Sequence, residues 1–554
     1  MKDAWIWVLV AVAAIAIGWF AYRRIASSLG PELDTAPLRA APSAEASIYQ
    51  LIKEQVDGDP DAPLRFESLP VLEITEGGIG YVPGAMDSLF GSGEAGDDDD
   101  TWKIVPKVIR AINKGRVADW RIIEKNVKDV GISSCVDTVL GSLYVADVTP
   151  AVKRLFWEAA KNSRDYNTVK WGIAIGGLDL SEQELPILLT LARHGEFTLY
   201  AAHVLLRESE KQPSLKRHLV GLLPVSRQWG VIRLIDIIVL DKSLIEEPAV
   251  QRDVLIYGME NNDGIPMEVA FTIASAVNLP TLFVAGEGDE RVYRAGVLLM
   301  DTLLLEPAPL GGLTDLKDWP RVYDGFLVLI EKRTADIPML SALASLETWL
   351  SDKDLTWERK NAELGRVRRL TEERLSAEIV RRGLENERDR WNALNLIGKH
   401  KLTVLLPAVE VLFKTKPDFS TISTLSALGG RDQLQLMLDT IPTLVDLDAR
   451  EGKPMSHENI NTPWPEAEKG MLYSQIVRSL GQLATMEAIA HIKRAGTDFD
   501  PAVRAAACAA IAGLPADLVD DDLRRIVTER LTDEPKYVAD SAKEAAAKLG
   551  LKFP

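Results

Sequence analysis

The feature that most constrains this chain is a repeat near its C-terminal end. The stretch DPAVRAAACAAIAGL, from Asp500 to Leu514, is followed by EPKYVADSAKEAAAKLG, from Glu534 to Gly550. A shift of 35 residues superposes Val503 on Val538, Ala507 on Ala542, Ala510 on Ala545 and Leu514 on Leu549. These positions recur at intervals of three and four, the spacing of one helix face. A helical unit that returns at such an interval covers its apolar sides only by stacking on its neighbours. The recurrence therefore predicts a stacked array rather than one closed core.

The same texture extends upstream. From about Thr101 the chain reads as successive helices, among them ELPILLTLARHG, GVIRLIDIIVLD and RAGVLLMDTLLLEP, broken at Gly, Pro, Asp and Asn. Strand patterns are nearly absent. Asp500 stands where a helix N-cap is needed, and Pro501 fills a first-turn position whose N–H would go unused. A length of 554 residues would ordinarily divide into several globular domains, with repeat arrays as the standing exception.

The DPxVRxxAxxAIxxL pattern of Asp500–Leu514 resembles the second helix of a HEAT repeat. SQIVRSLGQLATMEAIAHIKRAG, from Ser474 to Gly496, resembles the neighbouring hairpin, with its break at Leu480-Gly481. Upstream the resemblance thins to hairpin spacing and partial matches such as WGIAIGGL, RWNALNLIGKH and ISTLSALGG. It implies an all-α fold, an α-solenoid of stacked helical hairpins, whose usual work is to bind proteins. Two HEAT-like groups are enzymes, acting on alkylated DNA or attaching bilin pigments, and nothing in this sequence singles out either chemistry.

A different signal precedes the array. Ala4 to Tyr22 carries no charge and spans about 28 Å as a helix at ~1.5 Å per residue, close to the ~30 Å hydrocarbon core of a bilayer. Trp5, Trp7, Trp19 and Tyr22 lie where aromatic rings favour the interface. This segment reads as a single transmembrane helix. A cleaved signal peptide is the competitor, but Trp19, Phe20, Tyr22, Arg23 and Arg24 occupy the place of its small-residue cleavage site. Arg23, Arg24 and Arg39 follow the span and Lys2 precedes it, which points the bulk of the chain to the cytoplasmic side. The periplasmic or luminal alternative stays open because the amino-terminal flank is also weakly positive.

Residues 23–100 form a linker rich in Pro, Ala and Ser that passes into a Gly-rich and acidic segment. Short β-prone runs lie at Val71 to Thr75 and Ile79 to Val82, and Asp97 to Asp100 form a solvated acidic loop. Helical repeats are expected over 101–350 and HEAT-like repeats over 402–554. Between them, 351–401 is a charged helical insertion or hinge. Within it Arg359, Lys360, Arg366, Arg368, Arg369, Arg374, Arg381 and Arg382 make a local basic island. That island is the candidate partner-binding face. Opposite charges three or four apart, such as Glu378 with Arg381 and Arg382, also allow it to be simply a solvated helical surface.

A formal net charge of −17 argues against general affinity for nucleic acid, which depends on Lys and Arg neutralising phosphates. The six histidines and two cysteines, Cys135 and Cys508, show no metal-ligand spacing, and no nucleophile motif occurs. The expectation is a membrane-tethered scaffold for a protein partner, with no catalytic residues, metal or cofactor. A structural or assembly subunit of a larger membrane complex is the alternative.

Overall fold

Aspartate and threonine caps, followed in several cases by proline, set where helices begin. The computed structural model describes residues 33–36, 45–65, 101–132, 139–141, 143, 147–262, 267–305, 311–450 and 466–551. The span at Ala4–Tyr22, the β-prone runs, the Asp97–Asp100 loop and Cys135 lie outside these residues. Among the described residues every regular element is helical, and no helix is long and apolar enough to cross a membrane. The chain divides into two units, one reaching Leu329 and one running from Ile330.

The first unit contains α1 (Ile48–Gly58), α2 (Ile104–Asn113), α3 (Trp120–Val127), α4 (Pro150–Asn162), α5 (Tyr166–Gly176), α6 (Leu185–Leu191) and α7 (Gly195–Glu208). It continues with α8 (Lys216–Leu222), α9 (Trp229–Leu240), α10 (Pro248–Glu260), α11 (Met267–Ala276), α12 (Leu279–Ala285) and α13 (Glu290–Leu303). One rank is formed by α5, α7, α9, α11 and α13, each packed on the next. Helix α8 packs on both α7 and α9, α10 on both α9 and α11, and α12 on α13. Helices of the rank are buried nearly all round: α9 hides Trp229, Val231, Ile232, Leu234, Ile235, Ile237 and Ile238. Such apolar turnover within a helix is what a two-layer stack requires.

Helix α14 (Trp319–Lys332) passes from the first unit into the second. After it come α15 (Ile337–Ser351), α16 (Lys360–Arg374), α17 (Ala377–Glu385), α18 (Arg390–His400), α19 (Leu406–Thr415), α20 (Phe419–Leu428) and α21 (Arg431–Leu444). The last are α22 (Glu466–Leu480), α23 (Met486–Ala495), α24 (Pro501–Gly513), α25 (Asp521–Arg530) and α26 (Lys536–Lys548). The rank here is α15, α18, α20, α22, α24 and α26. The sequence repeat falls on α24 and α26. Val503, Ala507, Ala510 and their counterparts Val538, Ala542 and Ala545 are all wholly buried.

Asp500 caps α24 by accepting from Ala502 N–H, with Pro501 at the first position. Gly481, just past the end of α22, meets the backbone of α24. A Cβ there would stand 2.2 Å from the Ala510 carbonyl oxygen, so no other residue fits without moving one helix. A second recurrence, of acids alone, escapes a reading of apolar positions. Asp498 and Asp533, 35 residues apart, each take a two-pronged ion pair from an arginine earlier in the chain. Arg450 holds Asp498 at 2.7–2.8 Å and Arg504 holds Asp533 at 2.8 Å. Arg504 is fully buried and also donates to the carbonyls of Asp498 and Phe499. Cys508 is a buried free thiol in α24 whose pKa burial pushes up to about 12.

In the first unit, α5 and α7 are joined by a buried ion pair, Lys170 Nζ to Glu196 Oε2 at 2.6 Å. Beside it His194 caps α7, its Nδ1 accepting from Glu196 N–H, while its ring lies 5.5 Å from Tyr166 and 5.1 Å from Phe197. Burial, with Lys170 nearby, lowers the imidazole pKa to about 3. The unfolded chain binds this proton near pH 6.5 and the folded chain does not, so stability falls as pH drops through the window from about 6.5 to about 3. At pH 5 the expected loss relative to neutral pH is about 2 kcal/mol. His194→Asn keeps a capping acceptor. Its unfolding free energy, followed by denaturant titration at pH 7 and pH 5, should show a shallower pH slope; an unchanged slope would refute the assignment.

Candidate functional site

A cavity of about 920 Å³ opens in the first unit between α4, the 178–187 connection and α7. Its floor is made by α4. Thr149 caps that helix by accepting from Val152 N–H and Pro150 occupies the first position. The helix buries Val152, Leu155, Phe156, Ala159 and Ala160 against the core. Trp157 lies on the remaining side, flat against Gly176 of α5, where an added Cβ would come within 3.1 Å of the ring. Only glycine lets the indole settle there. Arg154 and Lys161 flank Trp157 by one turn on either side and share its helix face, since residues three and four apart are neighbours.

The opposite rim is fixed by ion pairs. Asp179 adopts a left-handed backbone, φ 56°, after α5, and its N–H donates to Glu208 Oε1. Arg207 of α7 donates to the Gly177 carbonyl, and Lys153 of α4 to the Asp179 carbonyl. Lys153 also pairs with Glu184, and Lys211 with both Asp179 and Glu208. Burial pushes the Glu208 carboxyl up, but bonds from Lys211 and Arg207 hold it below its ordinary value, so it is an ionised strut. Apolar positions Leu140, Leu143, Val148, Leu178 and Ile187 complete the walls, each half-buried.

With these pairings made, few charges in the groove are unspent. Arg154 is 68% exposed and among the described residues meets only Glu158, at 3.8 Å. The Lys161 ammonium and the Glu210 carboxylate have no charge partner among the described residues. The Trp157 indole N–H is buried and has no acceptor among the described residues. Buried tryptophan N–H groups ordinarily find one. The arrangement suits holding an amphipathic ligand. Among the described residues no nucleophile with a neighbouring base lines the groove, and no group of three or more His, Cys, Asp or Glu is placed to hold a metal.

The basic island of the second unit is largely engaged within the fold. Arg359 pairs with Glu363 and lies over the Trp357 ring, while Lys360 donates to the carbonyls of Asp352 and Leu355. Arg366 bridges Glu331 and Glu363, and Arg368 reaches Glu347. Arg381 is held by Glu378 and Glu385, and Arg382 stands 3.7 Å from Glu378. The Arg374 guanidinium donates to the carbonyls of Ile330, Glu331 and Arg333, the last turn of α14. That is a C-cap, where a cation satisfies carbonyls left over by the helix. Arg369 is exposed and has no ion pair among the described residues.

These placements separate two outcomes. Arg374→Ala should cost about 1.5–3 kcal/mol, the range for hydrogen bonds to a charged group. Arg369→Ala should change stability by less than about 0.5 kcal/mol, as surface substitutions do. Urea unfolding of the two variants side by side checks the contrast, and equal losses would refute the cap.

No protein family matches the chain and no curated protein does. Among solved structures, the crystal structure of an engineered protein is 14% identical over 81% of this chain and 99% of its own, with a TM-score of 0.30. A likeness that loose places the chain in no fold family.

Proposed function

We propose that the chain is a HEAT-like solenoid, tethered to a membrane by the uncharged stretch Ala4–Tyr22, that holds a protein partner on the cytoplasmic side. The observation that carries the binding role is the groove over Trp157, a preformed concavity with apolar walls and few unspent polar groups. The Asp-Pro cap, the 35-residue return of α24 in α26 and the return of a paired aspartate, Asp498 and Asp533, at the same interval support the HEAT-like reading. Tethering raises the effective concentration of a partner on the same membrane, so a modest groove affinity suffices. The basic island joins this reading through Arg369, the member with neither an ion pair nor a hydrogen bond among the described residues.

The test places a photo-crosslinking amino acid at Gln183, an exposed residue on the groove rim, in the full chain in cells. A defined set of protein adducts in the membrane fraction is expected, retained when residues 4–22 are replaced by an unrelated span. Adducts that vanish with that replacement favour a subunit of a larger membrane complex, in contact within the bilayer. Absence of any protein adduct overturns the scaffold reading. Reporters fused after Phe553 check orientation, and activity of a periplasmic reporter alone refutes the cytoplasmic placement.

A further inference from the structure

We infer that the groove takes an acidic linear segment of the partner, its carboxylates lying along α4 and an apolar side chain set between Leu143, Val148 and Ile187. The inference rests on the scaffold reading and adds the chemistry of what is bound. Charge is the first argument. The groove's carboxylates at Asp179, Glu184 and Glu208 are each held by a cation of the same groove, so they present little net field. The α4 wall nevertheless keeps an excess of cations, Lys153, Arg154 and Lys161 against Glu158, which meets Arg154 at 3.8 Å, whereas the opposite rim carries Asp179, Glu208 and the exposed Glu210 against Arg207 and Lys211. A segment with acidic groups is drawn to the α4 wall and turned away from the α7 wall, which gives it one orientation.

Spacing is the second argument. Arg154 and Lys161 are seven residues apart on one helix, about 10 Å at ~1.5 Å per residue. An extended chain returns a side chain to the same face every ~6.6 Å, so acidic residues two to four positions apart bracket the two cations. Between those cations sits the third argument, the Trp157 N–H, which has no acceptor among the described residues. Trp157 lines the groove, and because its N–H is closed to solvent, a carboxylate or carbonyl of the segment supplies the acceptor only with a small shift of the floor. The cavity, about 920 Å³, is at the upper end of the ~300–1,000 Å³ range of ligand pockets and accommodates several residues of such a segment.

The experiment measures fluorescence anisotropy of the purified full chain against four labelled probes. They are a peptide alternating acidic and apolar residues, its lysine-for-acid counterpart, its serine-for-apolar counterpart, and a single-stranded oligonucleotide of equal negative charge. The acidic-apolar peptide should bind at least about tenfold more tightly than the other three. Arg154→Glu combined with Lys161→Glu should weaken it by about tenfold or more and strengthen the lysine peptide, an exchange of preference that misfolding does not produce. Trp157→Phe should weaken the acidic peptide several-fold while raising the unfolding midpoint of the free protein.

Equal binding of the acidic and lysine peptides, unchanged affinity in the charge-reversed variant, or an oligonucleotide binding as tightly as the peptide each overturns the inference. Protein adducts at Gln183 without any acidic preference would leave the scaffold reading intact and sink this one alone. Absence of adducts removes the reading on which it rests.

Discussion

Replacing Arg504 by alanine should lower the unfolding free energy of the C-terminal repeats by about 3–5 kcal/mol, the scale for removing one partner of a buried ion pair. The guanidinium is wholly buried and Asp533 is 3% exposed. Without Arg504 the carboxylate keeps only Arg530, at 3.2 Å, and the carbonyls of Asp498 and Phe499 lose their donor. The loss should fall first on α25 and α26, which hydrogen exchange resolves. Exchange protection in α26 equal to that of the parent protein would refute the assignment. Arg504→Met with Asp533→Leu should recover much of the loss, because the cost lies mainly in stranding one charge.

Asp533 also fixes the sign of a pH effect. Burial pushes its carboxyl up, but Arg504 and Arg530 outweigh it and hold the pKa below 3.8. Its contribution is therefore full above that value and is lost only as pH falls through the lowered folded pKa. Acid should accordingly reach the first unit, through His194, well before it reaches this pair.

The second large effect is expected at the pair between α5 and α7. Glu196→Gln should cost about 3–5 kcal/mol by leaving Lys170 charged in an interior position. Lys170→Met with Glu196→Leu should return most of it. Denaturant titration of the three proteins decides, and a double variant no better than Glu196→Gln would show that the single loss comes from packing. Because α5 carries Gly176 and α7 carries the far rim, loosening this pair should also blunt the groove. The same variant should bind the acidic peptide less tightly even where it is folded.

How much of this was legible in the sequence depended on whether the partners lie nearby in the chain. The cap at Asp500 and Pro501, the break at Gly481 and the shared face of Val503 and Val538 are local, and each is where the pattern put it. The engagement of the basic island was not legible because Glu331 and Glu347, which take Arg366 and Arg368, lie 35 and 21 residues upstream. Arg374 shows the limit more sharply, since its acceptors are backbone carbonyls, which no side-chain pattern reveals.

The groove was invisible for the same reason. Its floor, rim and walls come from α4, α7, the connections between them and the segment just before α4, and each alone reads as ordinary helix or loop with charges. Lys170 in particular resembles an exposed helical lysine until Glu196 is brought opposite it. A signal was available in one place: Asp498 and Asp533 share the 35-residue interval, and a search for repeated acids as well as repeated apolar residues would have found the pair.

The contact at Gly481 means that the spacing between α22 and α24 is a property of main-chain atoms. Side-chain interfaces relax when one residue is exchanged for another of similar bulk, but two backbones in contact have nothing to trim. Variation among close homologues should therefore redecorate the outer surface of these repeats freely while leaving their step height unchanged, so a partner that spans several repeats meets a ruler whose divisions do not drift.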